Sequence, residues 1–286
     1  MHAISRFDTA QALATAALAL VLVAQSAAAV AQPVKLEAHR AVYDMTLDPN
    51  RKSGAISAAK GRMVYEITGS ACEGYTQNMR FVTQMVGQDG QPNLTDLRSS
   101  TFEDGAFKTF RFSSSTLRDE RTTEAVQGDA TRGGGGVKVD LTKPEKKTQN
   151  FAAGVNFPVQ HSVAIIDAAR AGQTSLRVDL YDGSDKGEKI YDTKTIIGAR
   201  AKPDANSKLP ALKGAERLDT MPAWPVSVSY YEMGKEKQDA LPSYELSFLF
   251  FENGVSRKIF IDYGEFALRG ELKDITFLDT PECKTK

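Results

Sequence analysis

The sequence lacks an excess of either charge. Over 286 residues, 36 Lys+Arg face 36 Asp+Glu, and the formal net charge is zero. A chain without a basic surplus is a poor match for a polyphosphate backbone, so nucleic acid is not expected as the main partner. Cysteine is scarce: two residues cannot make a zinc ribbon or an iron–sulfur cluster held by cysteines alone. Histidine is scarce too, with only His39 and His161 beyond the N-terminal segment. Neither has a second histidine at metal-ligand spacing, so both are expected to be packing or surface residues. No Gly-X-Ser-X-Gly elbow is present. The four-glycine run Gly133–Gly136 lacks the Lys-Ser or Lys-Thr that closes a phosphate loop, and it is expected to be a flexible loop. Asp182-Gly183-Ser184-Asp185-Lys186-Gly187-Glu188 resembles a calcium loop only faintly. It lacks the required pattern of acids, glycine and final glutamate, so an Asp-Gly turn is the better reading. Acidic pairs such as Asp119-Glu120 are expected to be solvated strand charges, which leaves glycosidase chemistry without support. These absences point to no cofactor, no metal and no catalytic residue.

What is present begins with an address. Arg6 precedes an almost wholly apolar stretch from Leu13 to Ala24, and Ala29-Val30-Ala31 then supplies small residues at −3 and −1 before Gln32. This is the order of a cleavable secretory signal, residues 1–31, too short in its apolar core for a stable anchor; the alternative is a buried Ala/Leu helix. No later stretch approaches the roughly 18 apolar residues that would suggest a span, so no membrane span is expected after cleavage near Ala31/Gln32. Export to the periplasm changes how Cys72 and Cys283 read. In an oxidising compartment an even pair most often forms a structural disulfide, here tying the C-terminal tail to an early strand. A redox-active pair is the alternative, though neither a Cys-X-X-Cys spacing nor an activated lone thiol is visible.

Residues 32–286 read as one domain. With 41% hydrophobic and 25% charged residues, the composition is that of a folded protein. Period-two alternation dominates. Tyr75, Met79, Phe81 and Met85 share one face of a strand whose other face carries Thr76, Asn78, Arg80 and Gln84. Met63, Tyr65 and Ile67 alternate in the same way, as do Val137, Val139 and Leu141, and Leu176, Val178 and Leu180. About a dozen strand-like runs occur in all. Asn253-Gly254 predicts a hairpin with a type I′ turn. One helix is expected, from Pro158 at its first position to a stop at Gly172, and its apolar residues on several sides require cover from a curled sheet. The run Leu246 to Phe251 is apolar on both strand faces. It suits a central strand between layers, or in a spiral sheet the lining of a ligand groove. The polar, Pro- and Gly-containing stretch Lys202–Asp219 reads as a long surface connection.

Several blocks resemble the EipB-like envelope integrity proteins, a periplasmic family of Gram-negative bacteria. They are His39-Arg40-Ala41-Val42-Tyr43, Phe157-Pro158, Ile166 to Gly172, Tyr181 to Asp185, Trp224 to Tyr230, Glu252 to Arg257, Asp262-Tyr263-Gly264 and Pro281-Glu282-Cys283. They run in order along nearly the whole chain after the leader. The resemblance implies a mainly β fold: a single large antiparallel β-spiral, an incompletely closed barrel with one buried or plugging helix, similar to the sheets of LolA, LolB and RseB. It also implies that Cys72 and Cys283 are the family's disulfide pair and that no residue is catalytic. A periplasmic tetratricopeptide-repeat protein is implied as a functional partner.

The expectation is therefore a non-catalytic periplasmic factor for envelope integrity whose curved sheet binds a lipid, a lipoprotein segment or a peptide. Trp224, Tyr230, Phe248 and Phe250 are the candidate lining residues, although core packing explains them equally well. The competing expectations are a protein–protein scaffold without a small ligand, for which the interior would be filled, and an enzyme acting on cell wall or lipid.

Overall fold

Fourteen strands are present among the described residues, where the alternation suggested about a dozen, and the order in which they pair decides where a ligand could go. The structure, a computed structural model, describes residues 32–51, 56–202, 212, 214–233, 241–281 and 283. The proposed leader and most of the Lys202–Asp219 connection lie outside the described residues. The first meander comprises β1 (His39–Leu47), β2 (Ile56–Ser70), β3 (Gly74–Gly87), β4 (Pro92–Glu103), β5 (Thr109–Arg118), β6 (Arg121–Gly133), β7 (Gly136–Lys143) and β8 (Lys147–Ala152). The helix α1 (Pro158–Arg170) follows. A second meander comprises β9 (Ser175–Leu180), β10 (Tyr191–Ile197), β11 (Ala223–Glu232), β12 (Tyr244–Phe251), β13 (Ser256–Asp262) and β14 (Ala267–Phe277).

All fourteen form one antiparallel sheet in the order β8-β7-β6-β5-β4-β3-β2-β1-β14-β13-β12-β11-β10-β9, with β1 pairing β14 to join the two meanders. The two edges, β8 and β9, are consecutive in the chain, so the segment that joins them must bridge the gap between the edges. That segment contains α1. The edges do not pair along their length. They meet at a single parallel bridge, where the Asn156 N–H donates to the Asp179 carbonyl at 2.7 Å and the Tyr181 N–H donates to the Asn156 carbonyl at 2.9 Å. The Tyr181 hydroxyl and the Gln149 amide both donate to the Gly187 carbonyl, each at 2.9 Å, and reinforce the seam from either side. The sheet is thus curled but not closed, as the sequence led us to expect.

The helix is fixed at both ends. Its first turn is bound by a residue from the opposite part of the sheet: the Glu103 carboxylate at the end of β4 accepts the Val159 N–H at 2.5 Å and the Gln160 N–H at 3.0 Å. Those are two of the amides that a helix start leaves without intrahelical partners, and a carboxylate suits the positive end of the helix dipole. Burial pushes the Glu103 carboxyl up to about 7, against the pull of those two donors. At the other end, Gly172 at φ 72° follows the last turn. The Gly172 N–H donates to the Ala169 carbonyl and the Gln173 N–H to the Ala168 carbonyl, a Schellman closure that satisfies the final carbonyls.

Asn253-Gly254 does form the β12–β13 hairpin, but the turn is not type I′. Among these residues only Gly254 has a positive φ, at 87°. The Gly254 N–H donates to the Phe251 carbonyl and the Phe251 N–H to the Val255 carbonyl, the arrangement of a type I turn followed by a left-handed glycine. Asn253 is held by its side chain, which donates to Glu37 at 2.8 Å and accepts the Val255 N–H at 3.2 Å. Further along this pair, two residues of β13, Lys258 and Ile259, stand opposite Phe248, and Lys258 takes φ 54°. Such a bulge bends its strand and increases the local twist. It lies in the wall of the cavity described below. The glycine run closes the β6–β7 hairpin, with Gly134 and Gly135 both at positive φ.

Cys72 and Cys283 are disulfide-bonded, with Cα atoms 5.7 Å apart across a sequence separation of 211. Loop closure of that length stabilises the fold by at most about 5 kcal/mol in the chain-entropy model. Cys72→Ser or Cys283→Ser is expected to lower the melting temperature under oxidising conditions and to change little in reductant. Equal melting of variant and wild type in both conditions would show that the bridge carries no stability.

Candidate functional site

The inner faces of the two meanders do not meet at the middle of the ribbon. They leave a cavity of about 520 Å³, within the range of small-ligand pockets, roughly 300–1,000 Å³. One wall comes from β2, β3 and β4, where the alternation that placed Met63 and Tyr65, and Met79 and Phe81, on single faces turns those side chains inward. The facing wall comes from β11, β12 and β13, with Val228, Leu246, Ile259 and Ile261. The helix adds Pro158, His161, Ser162 and Ile165, and β1 adds His39 and Tyr43. The cover that α1 required is therefore partial, because part of one side faces the hollow.

Of the four residues expected to line a site, three are in this wall: Tyr230, Phe248 and Phe250. Trp224 is elsewhere. It shares the inward parity of Tyr230 on β11, but it lies six residues away, about 20 Å along a strand. It is buried in the core beneath the helix and borders a separate hollow near Arg170, at the C-terminal end of α1. Phe251 and Leu249, on the other face of β12, pack into a second apolar cluster with Tyr43, Leu218 and Leu268. One face of the Leu246–Phe251 run thus borders the hollow and the other packs into the core.

Polar groups are few in the lining. Both histidines are there, each buried rather than on the surface. His39 donates from Nδ1 to the Glu37 carbonyl at 2.7 Å, so Nε2 is left as an acceptor, and it has no partner. Burial lowers the His39 pKa. The His161 ring nitrogen Nε2 lies 3.4 Å from the Thr193 hydroxyl, and burial lowers its pKa to about 4. Asp182, read from the sequence as a turn residue, also lines the cavity, and burial raises its pKa. Ser162 donates its hydroxyl to the Pro158 carbonyl at 3.1 Å. It is therefore turned to its own helix and not to either imidazole. The arrangement can hold an apolar molecule and offer it a few hydrogen-bond acceptors. Asp182, Tyr244 and Tyr263 were not found as lining residues from the sequence. Only the tertiary arrangement brings them to the hollow.

The comparisons with known proteins agree with the fold. The EipB-like family model matches residues 30–279. The chain belongs to the EipB-like family. A similar protein is the cell envelope integrity protein EipB of Brucella abortus (strain 2308), 38% identical over 261 residues, covering 91% of this chain and 90% of the relative. A crystal structure of a beta-barrel-like protein of a domain of unknown function, DUF1849, also from Brucella abortus, aligns with a TM-score of 0.78 and 37% identity. It covers 86% of this chain and all of that one. Membership of the EipB-like family supports a role in cell envelope integrity.

A histidine held neutral by burial makes stability depend on pH. The His161 pKa is about 4 in the fold against 6.5 unfolded, so the neutral ring's contribution is full above pH 6.5 and is lost as pH falls towards 4. Relative to His161→Leu, which lacks this titration, wild type is expected to lose about 2–3 kcal/mol across that window. Chemical unfolding of both proteins between pH 7.5 and 4 measures it. A constant difference would mean that His161 is not held neutral.

Proposed function

We propose that this EipB-like protein is exported through its N-terminal leader and supports the envelope from the periplasm, without catalysis, by holding an apolar ligand in the cavity between its two sheet walls. The observation that carries this reading is the hollow itself. A fold serving only as a scaffold would be expected to fill its interior, whereas here the facing walls and the helix leave about 520 Å³ lined mostly by aliphatic and aromatic side chains. That space suits a single acyl chain or a short extended segment, not a folded partner. The Cys72–Cys283 disulfide supports an oxidising compartment. The name of the Brucella relative supports the envelope.

Leu246→Trp, on the β12 wall, tests it. The neutral probe N-phenyl-1-naphthylamine is expected to bind wild type with one saturable site and a rise in fluorescence. The substitution is expected to weaken binding by about tenfold, or 1.4 kcal/mol, with circular dichroism unchanged. Absence of saturable binding to wild type, or undiminished binding to Leu246→Trp, would contradict the reading.

A further inference from the structure

One end of the cavity differs chemically from the rest. Among the described residues, its lining has a single carboxylate, Asp182, and no lysine or arginine. The only other ionisable bases in the lining are His39 and His161, and burial favours the neutral form of both. Asp182 lies just after β9 and accepts the Ser184 N–H at 2.9 Å. The nearby lysine, Lys189, is engaged instead with Asp185 at 3.3 Å and Glu232 at 3.2 Å. Among the described residues no lysine or arginine forms an ion pair with Asp182, and Asp185 adds repulsion.

Around this carboxylate stands a group of tyrosine rings. Tyr230 and Tyr244 stack with centroids 4.2 Å apart, and both line the cavity. Tyr191 meets them edge-on at 5.9 and 6.3 Å. Tyr263, another lining residue, is 6.4 Å from Tyr244 and 39% exposed, so this end of the cavity reaches the surface. The Asp182 charge is felt by Tyr191, Tyr230 and Tyr244 alike. Electron-rich ring faces beside a half-buried carboxylate attract a cation, and most strongly one that sheds water easily. Towards the interior, the wall continues into Val228, Leu246 and Phe248.

We infer that the cavity takes an amphiphile with an ammonium head group, the head beside Asp182 among Tyr230, Tyr244 and Tyr263, and one alkyl chain along the β11–β13 wall. The polar group then sits at the end that reaches the surface while the chain fills the apolar interior. This rests on reading the cavity as a ligand site and adds the class of head group. Burial raises the Asp182 pKa, and a bound cation would favour the ionised carboxylate.

The test uses decyl amphiphiles below their micelle concentrations at pH 7.5, with calorimetry on the folded chain: decyltrimethylammonium, decyl maltoside and decanoate. The trimethylammonium compound is expected to bind about tenfold more tightly than the neutral one, with decanoate weakest. Asp182→Asn is expected to reduce that preference to within about threefold, with circular dichroism unchanged. If Asp182→Asn does not fold, Tyr244→Leu removes a ring face, retains the carboxylate and is expected to weaken the same preference. Equal binding of all three compounds, or preference for decanoate, would overturn the head-group inference and leave the apolar-ligand reading standing. Failure of all three to bind would overturn both.

Discussion

The two edges of the ribbon are neighbours in sequence, and this constraint shapes the rest of the molecule. A fourteen-stranded antiparallel sheet could lie open, but here β8 and β9 are joined through a single short segment built around α1. The ribbon must therefore curl until its edges come within reach of that segment. It does not follow that the edges pair. Among the described residues, one bridge joins Asn156, just past β8, to β9, Gln149 of β8 reaches the Gly187 carbonyl, and the segment between the edges carries the helix. Glu103 gives this arrangement a fixed geometry, because its carboxylate binds the start of the helix from the end of β4, far from β9 in the strand order.

A curled ribbon has an inner face too wide to be filled by one thin helix. Three apolar clusters form the core: around the helix and β9–β12, around β1, β13 and β14, and around Phe110, Phe157 and Tyr181 near the seam. The cavity lies where the wall of β2–β4 faces that of β11–β13 and the helix covers only one side. The bulge opposite Phe248 bends the wall at this place. The hollow is thus a consequence of topology, and the side chains around it give it an apolar middle and a tyrosine-rich, acidic end.

Much of the fold was legible. Alternation in β2 and β3 told which side chains share a face, and Pro158 and Gly172 marked the helix ends because their backbone chemistry allows few other roles. The turn type at Asn253-Gly254 was not legible, since Asn253 is held by a side-chain bond to Glu37, 216 positions away. The site was readable only in part. Parity placed Phe248 and Phe250 on one strand face, but it does not say how far along a strand a cavity extends, so it could not separate Tyr230, which borders the cavity, from Trp224, which borders another hollow. Asp182 carried only a local turn signal. Its neighbours Tyr230 and Tyr244 come from β11 and β12, and no spacing along the chain announces that meeting. The blocks that resemble the EipB-like family, by contrast, could be read directly because they are contiguous.

The central claim is that the space between the two walls is occupied when the protein works. Native mass spectrometry of the protein isolated from its own envelope fraction without detergent tests this most directly. The account predicts a population heavier than the polypeptide by one small apolar molecule, released by gentle activation and recovered in organic extract. Repeated observation of the polypeptide mass alone, with no added species after incubation with a lipid extract of the same cells, would contradict it.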